Sequence, residues 1–277
     1  MPKVLFTRAD FDIATLYLSS YVGSKLLPFA KTNGFEVTDL FDDCGPGRLG
    51  CPTSTYAARL EAFETQMTAT PPPDVVIGCG HGNETIFTGQ DLEVLLKANV
   101  NDDLCSGKKV YLWSCLTGVT LGPQMVQKTC PEYYGYQSDF TFVYHPDYAS
   151  PPSSDDPPAS EKCTLNDPWA RAFFDSGLAT GYAILLGKTP EEIYNETINR
   201  YDYWWNYWIQ SNDGMADDIL TWINWNRSNF IAITPSGFQR KGPPTVEGPT
   251  TLASIPIIPL GIAGALLFLL SRSDKSE

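Results

Sequence analysis

Two side chains in this sequence can together make a nucleophile, an imidazole and a thiol. His81 closes a short apolar run in "DVVIGCGHGNETIFTG", Asp74 to Gly89, and is one of only two histidines. Cys115 closes another, in "VYLWSCLTG". A thiol at neutral pH is mostly protonated, with a free pKa of about 8.5. An adjacent imidazole that takes its proton leaves a thiolate able to attack a carbonyl carbon. Gly82, lacking a side chain, leaves its backbone N–H open to a substrate oxygen, and the N–H of Cys115 can point the same way. Two such donors form an oxyanion hole for a tetrahedral intermediate. Gly118 permits a tight turn into a following helix whose N-terminal dipole favours a thiolate.

Strands must deliver these groups to one place. "KVLF" reads as a first strand ending near Thr7–Asp12, followed by a helix to about Lys31 that Gly34 stops. "FEVTDLF" alternates like a second strand, and "DDCGPGRLGCP" is loop. Ser54 caps a helix that carries Tyr56, Leu60, Phe63 and Met67 on one face, and "TPPP" breaks it. "DVVIGCG" is the third strand; Thr88 and Asp91 have capping-box spacing before a helix over "LEVLLKA"; "KKVYLWS" is the fourth strand. Pro123 suits the first turn of the next helix. Residues 129–163 read as irregular, with one strand at "FTFVY" and an exposed, cleavable run "PPSSDDPPASE", which predicts self-processing between Ala149 and Lys162. Then Asp167 caps a helix with Pro168 at its first position and Gly177 as its stop, and "GYAILLG" reads as a fifth strand. Thr189, Pro190 and Glu192 open a long helix bearing "YDYWWNYW", and "NFIAITP" is a sixth strand. The alternation predicts an α/β fold, a mostly parallel sheet with helices on both faces. Such sheets gather chemistry at the carboxyl ends of their strands. With strands three and four as neighbours, His81 and Cys115 emerge at one edge.

The motifs "GHGN" and "SCLTG", each after a strand and in this order, resemble the His-Gly and Ala/Ser-Cys motifs of the caspase-like (clan CD) cysteine peptidases, the group of caspases, metacaspases, legumain, clostripain and gingipains. "WARAFFDSGLATGYAILLGKT" resembles the helix–Gly–strand element that follows the catalytic cysteine in gingipains and CHAT-type relatives, and "FIAITPS" a later strand ending in a proline turn. The resemblance covers roughly residues 1–240 and implies a three-layer caspase-hemoglobinase-like fold. It implies His81 as base, Cys115 as nucleophile, Gly82 and Cys115 as oxyanion donors, and endopeptidase cleavage of a protein or peptide through an acyl-enzyme. Neither a metal nor an organic cofactor is implied. A transamidase of the same fold, or a catalytically degenerate scaffold, are the alternatives.

One position departs from the pattern. Several basic-specific relatives carry an acid two residues before the cysteine, where this chain has Trp113. Asp10 and Asp12, after the first strand, restore an acidic substrate pocket; Lys188, after "GYAILLG", instead favours an acidic substrate side chain. Cys79 shares a strand face with His81 and is the rival nucleophile. His145 reads as surface or substrate loop, Asp91 as a helix cap, Ser114 as packing, and the Trp/Tyr run as core.

Beyond residue 240, 241–251 read as a linker, Leu252–Leu270 as nineteen uncharged residues, and 271–277 as a polar tail. A bilayer core needs about 20 apolar residues as a helix, so 252–270 is expected to be a single-pass C-terminal transmembrane anchor. Basic residues flank it on both sides. No secretory signal opens the chain, so the expected location is a membrane with the main domain in the cytoplasm. The net charge of −13 argues against nucleic-acid binding, which needs a basic face. Seven cysteines with no C-x-x-C spacing fit neither a zinc site nor a dense disulfide scaffold, and a reducing compartment is preferred over bridges Cys44–Cys51 or Cys130–Cys163. Asn83, Asn195 and Asn226 open N-x-Ser/Thr triplets that matter only on export.

Overall fold

Strands covered on both faces are apolar on both pleats. "VLF", "VVI" and "VYLW" are such strands: Val4, Phe6, Val75, Ile77, Tyr111 and Trp113 feed one core cluster, and Leu5, Val76, Val110 and Leu112 the other. The structure, a computed structural model, describes residues 1–41, 58–149 and 161–237, with two short backbone strands beyond. β1 (Lys3–Arg8) leads to α1 (Ile13–Tyr21), a π-helical turn (Val22–Leu26), α2 (Leu27–Thr32) and β2 (Glu36–Leu40). α3 (Leu60–Met67) precedes β3 (Val75–Cys79), the hairpin β4 (Ile86–Thr88) and β5 (Val94–Lys97), then β6 (Lys109–Trp113), α4 (Leu121–Gln127) and β7 (Glu132–Tyr136). Three short elements follow: β8 (Thr141–Phe142), α5 (Pro146–Ala149) and α6 (Glu161–Asn166). The long helices α7 (Arg171–Leu185), α8 (Pro190–Trp208) and α9 (Ala216–Asn229) then lead to β9 (Phe230–Ile233) and β10 (Gln239–Lys241).

The sheet order is β2-β1-β3-β6-β7-β9, with β10 at the edge beyond β9. β2, β1, β3, β6 and β7 are mutually parallel; β9 and β10 are antiparallel to their neighbours. Helices α1, α7, α8 and α9 cover one face, around Tyr17, Phe174, Ile193 and Ile219. Helices α3 and α4 cover the other, through Phe63, Met67, Leu121 and Met125. The architecture is therefore three layers, an α/β sheet between helices.

Several local expectations are met. Gly34 ends α2 in the left-handed region at φ +79°. Thr189 accepts from the Glu192 N–H while Glu192 reaches back to the Thr189 N–H, a complete capping box. β3 and β6 are parallel neighbours.

Others are corrected. "GYAILLG" is the last part of α7, and Gly177 lies inside that helix rather than at its stop. The glycine is there for packing, since a Cβ on Gly177 would come within 2.1 Å of the Trp113 ring. "LEVLLKA" is strand β5, not helix; Asp91 sits at φ +54° and pairs with Arg59 at 2.5 Å instead of capping. The segment read as irregular contains β7, a central strand, while "FTFVY" contributes only Thr141 and Phe142. In line with the preference for free thiols over a Cys130–Cys163 bridge, Cys130 is a free buried thiol that donates to the carbonyls of Lys108 and Glu132. Asn226 is wholly buried, so its triplet is closed to glycosylation in this fold.

The proposed cap Ser54, Tyr56, the Cys44–Cys51 pair, most of the cleavable loop and, except for Ile258 and Pro259, the anchor at 252–270 lie outside the described residues. Among the described residues no helix is long and apolar enough to cross a membrane.

Candidate active site

The chain crosses from β1 to β2 by α1 on one face, and from β2 to β3 by α3 on the other. A crevice opens where such crossings part, outside the carboxyl ends of the two adjacent strands. Here those ends are Arg8 and Cys79, which are register partners, and two residues further on stand Asp10 and His81. One strand over, Cys79 is level with Trp113, and two residues on from these stand His81 and Cys115. Cys79, Trp113 and Cys115 all belong to the core cluster on the α1/α7 face.

The loop carrying His81 is pinned. Its carbonyl accepts from the Thr88 N–H at 2.9 Å and from the Thr88 hydroxyl at 3.2 Å. Gly82 bridges to Phe87, and the Asn83 side chain accepts from the N–H groups of Thr85 and Ile86 at 2.8 and 3.0 Å. Gly82 also abuts the turn after β6: a Cβ there would lie 2.8 Å from the Cys115 carbonyl oxygen and 2.9 Å from Thr117 Cγ2. The histidine loop and the cysteine turn are thus in direct contact at a position where a Cβ would force one of them to shift.

That turn is itself braced. Leu116 occupies the left-handed region at φ +59°, which costs a branched L residue roughly 1 kcal/mol or more. It is held there by its N–H, which donates to the Ser138 carbonyl at 3.1 Å, and by the Gly118 N–H, which donates to the Tyr136 carbonyl at 2.8 Å. Ser114 and Thr117 share a hydroxyl contact at 3.1 Å, and Tyr133 donates to Thr117 at 2.9 Å. α4 begins only at Leu121, so its dipole is not adjacent to the sulfur. Cys115 is wholly buried, and its Sγ lies 3.9 Å from the Phe140 carbonyl oxygen, the thiol donating.

The imidazole has a partner that the sequence did not reveal. Asp12 Oδ2 lies 2.5 Å from His81 Nε2. Oδ1 of the same carboxylate caps α1, accepting from the Thr15 N–H at 2.8 Å, while the Thr15 hydroxyl accepts from the Asp12 N–H at 3.1 Å. Burial raises the Asp12 carboxyl's pKa, but the hydrogen bond and charge of His81, with the Thr15 contacts, outweigh it and hold the group below the usual carboxylate range. The Phe11 ring stands 5.5 Å from the imidazole. The signal was present as D-x-x-T directly after a strand, which marks a cap; the other oxygen's use was not visible.

The remaining expected residues separate. Asp10 is buried beside β1, its N–H donating to Gln90 Oε1 at 3.2 Å. Trp113 is wholly buried against Phe140, Phe174 and Gly177. Lys188 follows the far end of α7, where Gly181 packs on Leu26 and Tyr182 on Phe29, and it pairs with Glu196. Those contacts are with α2 and the residues just before it, and α2 feeds the start of β2, so Lys188 belongs to the opposite edge of the sheet. Cys79 lies inside β3 in the core cluster, and burial pushes its thiol up to about 12 despite the nearby Arg8. His145 packs on Trp169 at 4.4 Å between ring centroids, and its N–H donates to Asp167. Among the described residues no cluster of three or more His, Cys, Asp or Glu side chains could hold a metal ion.

Comparison with known proteins finds no family whose profile matches the chain and no curated relative that aligns with it.

Proposed function

We propose that this chain is a caspase-like cysteine endopeptidase, with Cys115 as nucleophile, His81 as general base and Asp12 as the residue that positions His81. One observation carries the reading. His81 and Cys115 follow adjacent parallel strands in register, and Gly82 touches the Cys115 turn at the carboxyl edge of the sheet. With Nε2 held by Asp12, the proton of the Cys115 thiol passes to His81 Nδ1 as sulfur bonds to the substrate carbonyl carbon. The N–H groups of Gly82 and Cys115 receive the resulting oxyanion. As the C–N bond breaks, the departing amine takes the proton from His81. Water, deprotonated by the same imidazole, then attacks the thioester and releases the acid and the thiol.

The charge preferences expected from the sequence lose support. Asp12 is engaged with His81, Asp10 and Trp113 are buried, and Lys188 is remote. The proposed substrate is a protein or an extended peptide. We propose further that residues 252–270 tether the domain to a membrane with the catalytic domain in the cytoplasm.

The full chain incubated with a peptide library should yield fragments that vanish in Cys115→Ala and in His81→Ala. Fragments that persist in Cys115→Ala overturn the assignment. Adding an amine separates hydrolysis from acyl transfer by product mass. The complete burial of Cys115 favours the second reading, a degenerate scaffold, which predicts biological activity intact in Cys115→Ser.

A further inference from the structure

The closure of Cys115 is a built feature with a definite fastening. Between β7 and β8 the chain passes over the cysteine turn, and alternate carbonyls of that passage face it: Tyr136 receives the Gly118 N–H, Ser138 the Leu116 N–H, and Phe140 the Cys115 thiol. The opposite side of the passage is fastened to the last turns of α9. Trp225 Nε1 donates to the Asp139 carbonyl at 2.9 Å. Asn226, wholly buried, spends its whole amide on Thr141, accepting its N–H at 3.0 Å and donating to its carbonyl at 2.6 Å. The Gln137 N–H donates to the Asn229 carbonyl at 2.9 Å.

We infer that residues 137–141 form an autoinhibitory strap over the Cys115 thiol, and that Trp225 and Asn226 of α9 are its latch. The inference rests on the reading of Cys115 as the nucleophile, because only then does covering the sulfur withhold an activity. Trp225 and Asn226 hold backbone groups of the strap through their side chains, while the Gln137–Asn229 bond and the pairing of Thr141 and Phe142 with Pro259 and Ile258 are backbone contacts. Opening therefore gives up these contacts and takes Phe140 from its place beside Trp113, while the pairing of β3 with β6 stays intact. The strap is a conformational gate: closed, Cys115 meets a carbonyl of its own chain; open, it can meet a substrate's.

Iodoacetamide modification of the full chain, resolved cysteine by cysteine by mass spectrometry, tests this with internal controls. Cys105 and Cys130 are equally buried free thiols in the core cluster on the other face of the sheet and report opening of the whole domain. Each net hydrogen bond is worth roughly 0.5–1.5 kcal/mol, so Asn226→Ala, which removes two, should raise the Cys115-to-Cys130 rate ratio on the order of tenfold. Trp225→Phe, which removes one and keeps a ring, should raise it about threefold, and it carries the test should Asn226→Ala fail to fold. A ratio that stays at the wild-type value in the folded variants overturns the strap. Peptide cleavage by the same variants separates the two claims. A raised ratio without cleavage keeps the strap and sinks the peptidase; cleavage with an unchanged ratio does the reverse.

Discussion

Gly82 and Cys115, separated by a whole β-hairpin and a strand in the chain, touch so closely that a single added carbon on Gly82 would lie 2.8 Å from the cysteine's carbonyl oxygen. Gly82→Ala therefore has to push the two loops apart. Overpacking of this kind costs about 1–3 kcal/mol, which urea unfolding would measure. If the contact sets the distance between imidazole and sulfur, kcat/KM falls at least about tenfold, and by more than the lost stability explains.

Asp12 makes a separable pair of predictions. Asp12→Asn keeps a capping side chain and removes the charge opposite His81, so stability should change little through the cap while kcat falls about 100-fold or more. Asp12→Ala should lose about 1 kcal/mol in addition. The pH dependence follows from the lowered carboxyl pKa in the folded chain. The stabilisation is complete above the ordinary Asp pKa of about 3.9 and is lost as pH falls through the lower, folded value. Urea midpoints of wild type and Asp12→Asn should thus differ most near neutrality and converge below about pH 4.

Gly177 lets α7 lie against Trp113, with no room for even one methyl group. Gly177→Ala gains helix propensity worth about 1 kcal/mol and still should lower stability by about 1–3 kcal/mol net. A thermal melt with a raised midpoint would mean that Trp113 can swing aside.

Cys79 is packed inside the core cluster on the α1/α7 face of the sheet. Its thiol, raised to about 12 by burial, carries almost no thiolate at neutral pH. Cys79→Ala should cost about 1–2 kcal/mol through the cavity it leaves. Peptide cleavage per folded molecule should be unchanged, whereas Cys115→Ala abolishes it.

Much of this arrangement was legible because the central strands are buried on both faces, so "VVI" and "VYLW" could be little else, and each ends in glycine or serine followed by a reactive side chain. What misled was residue type without surroundings. β7, "EYYGY", looks too polar for a central strand, yet its hydroxyls are each satisfied inside: Tyr133 on Thr117, Tyr134 on Glu132, and Tyr136 with Tyr201. "GYAILLG" has the length and flanking glycines of a strand. Gly177 and Gly181 are instead the two places where α7 closes on Trp113 and Leu26. Asp12 read as a substrate acid because nothing local announces that its second oxygen meets a ring sixty-nine residues away.

One carboxylate serves both the first turn of α1 and the imidazole. A chain transiently melted at its amino end has no α1 to fix that carboxylate and so loses the partner that holds His81. On the proposed function, fraying of one helix at the start of the chain would thus switch off chemistry at a site some seventy residues further on.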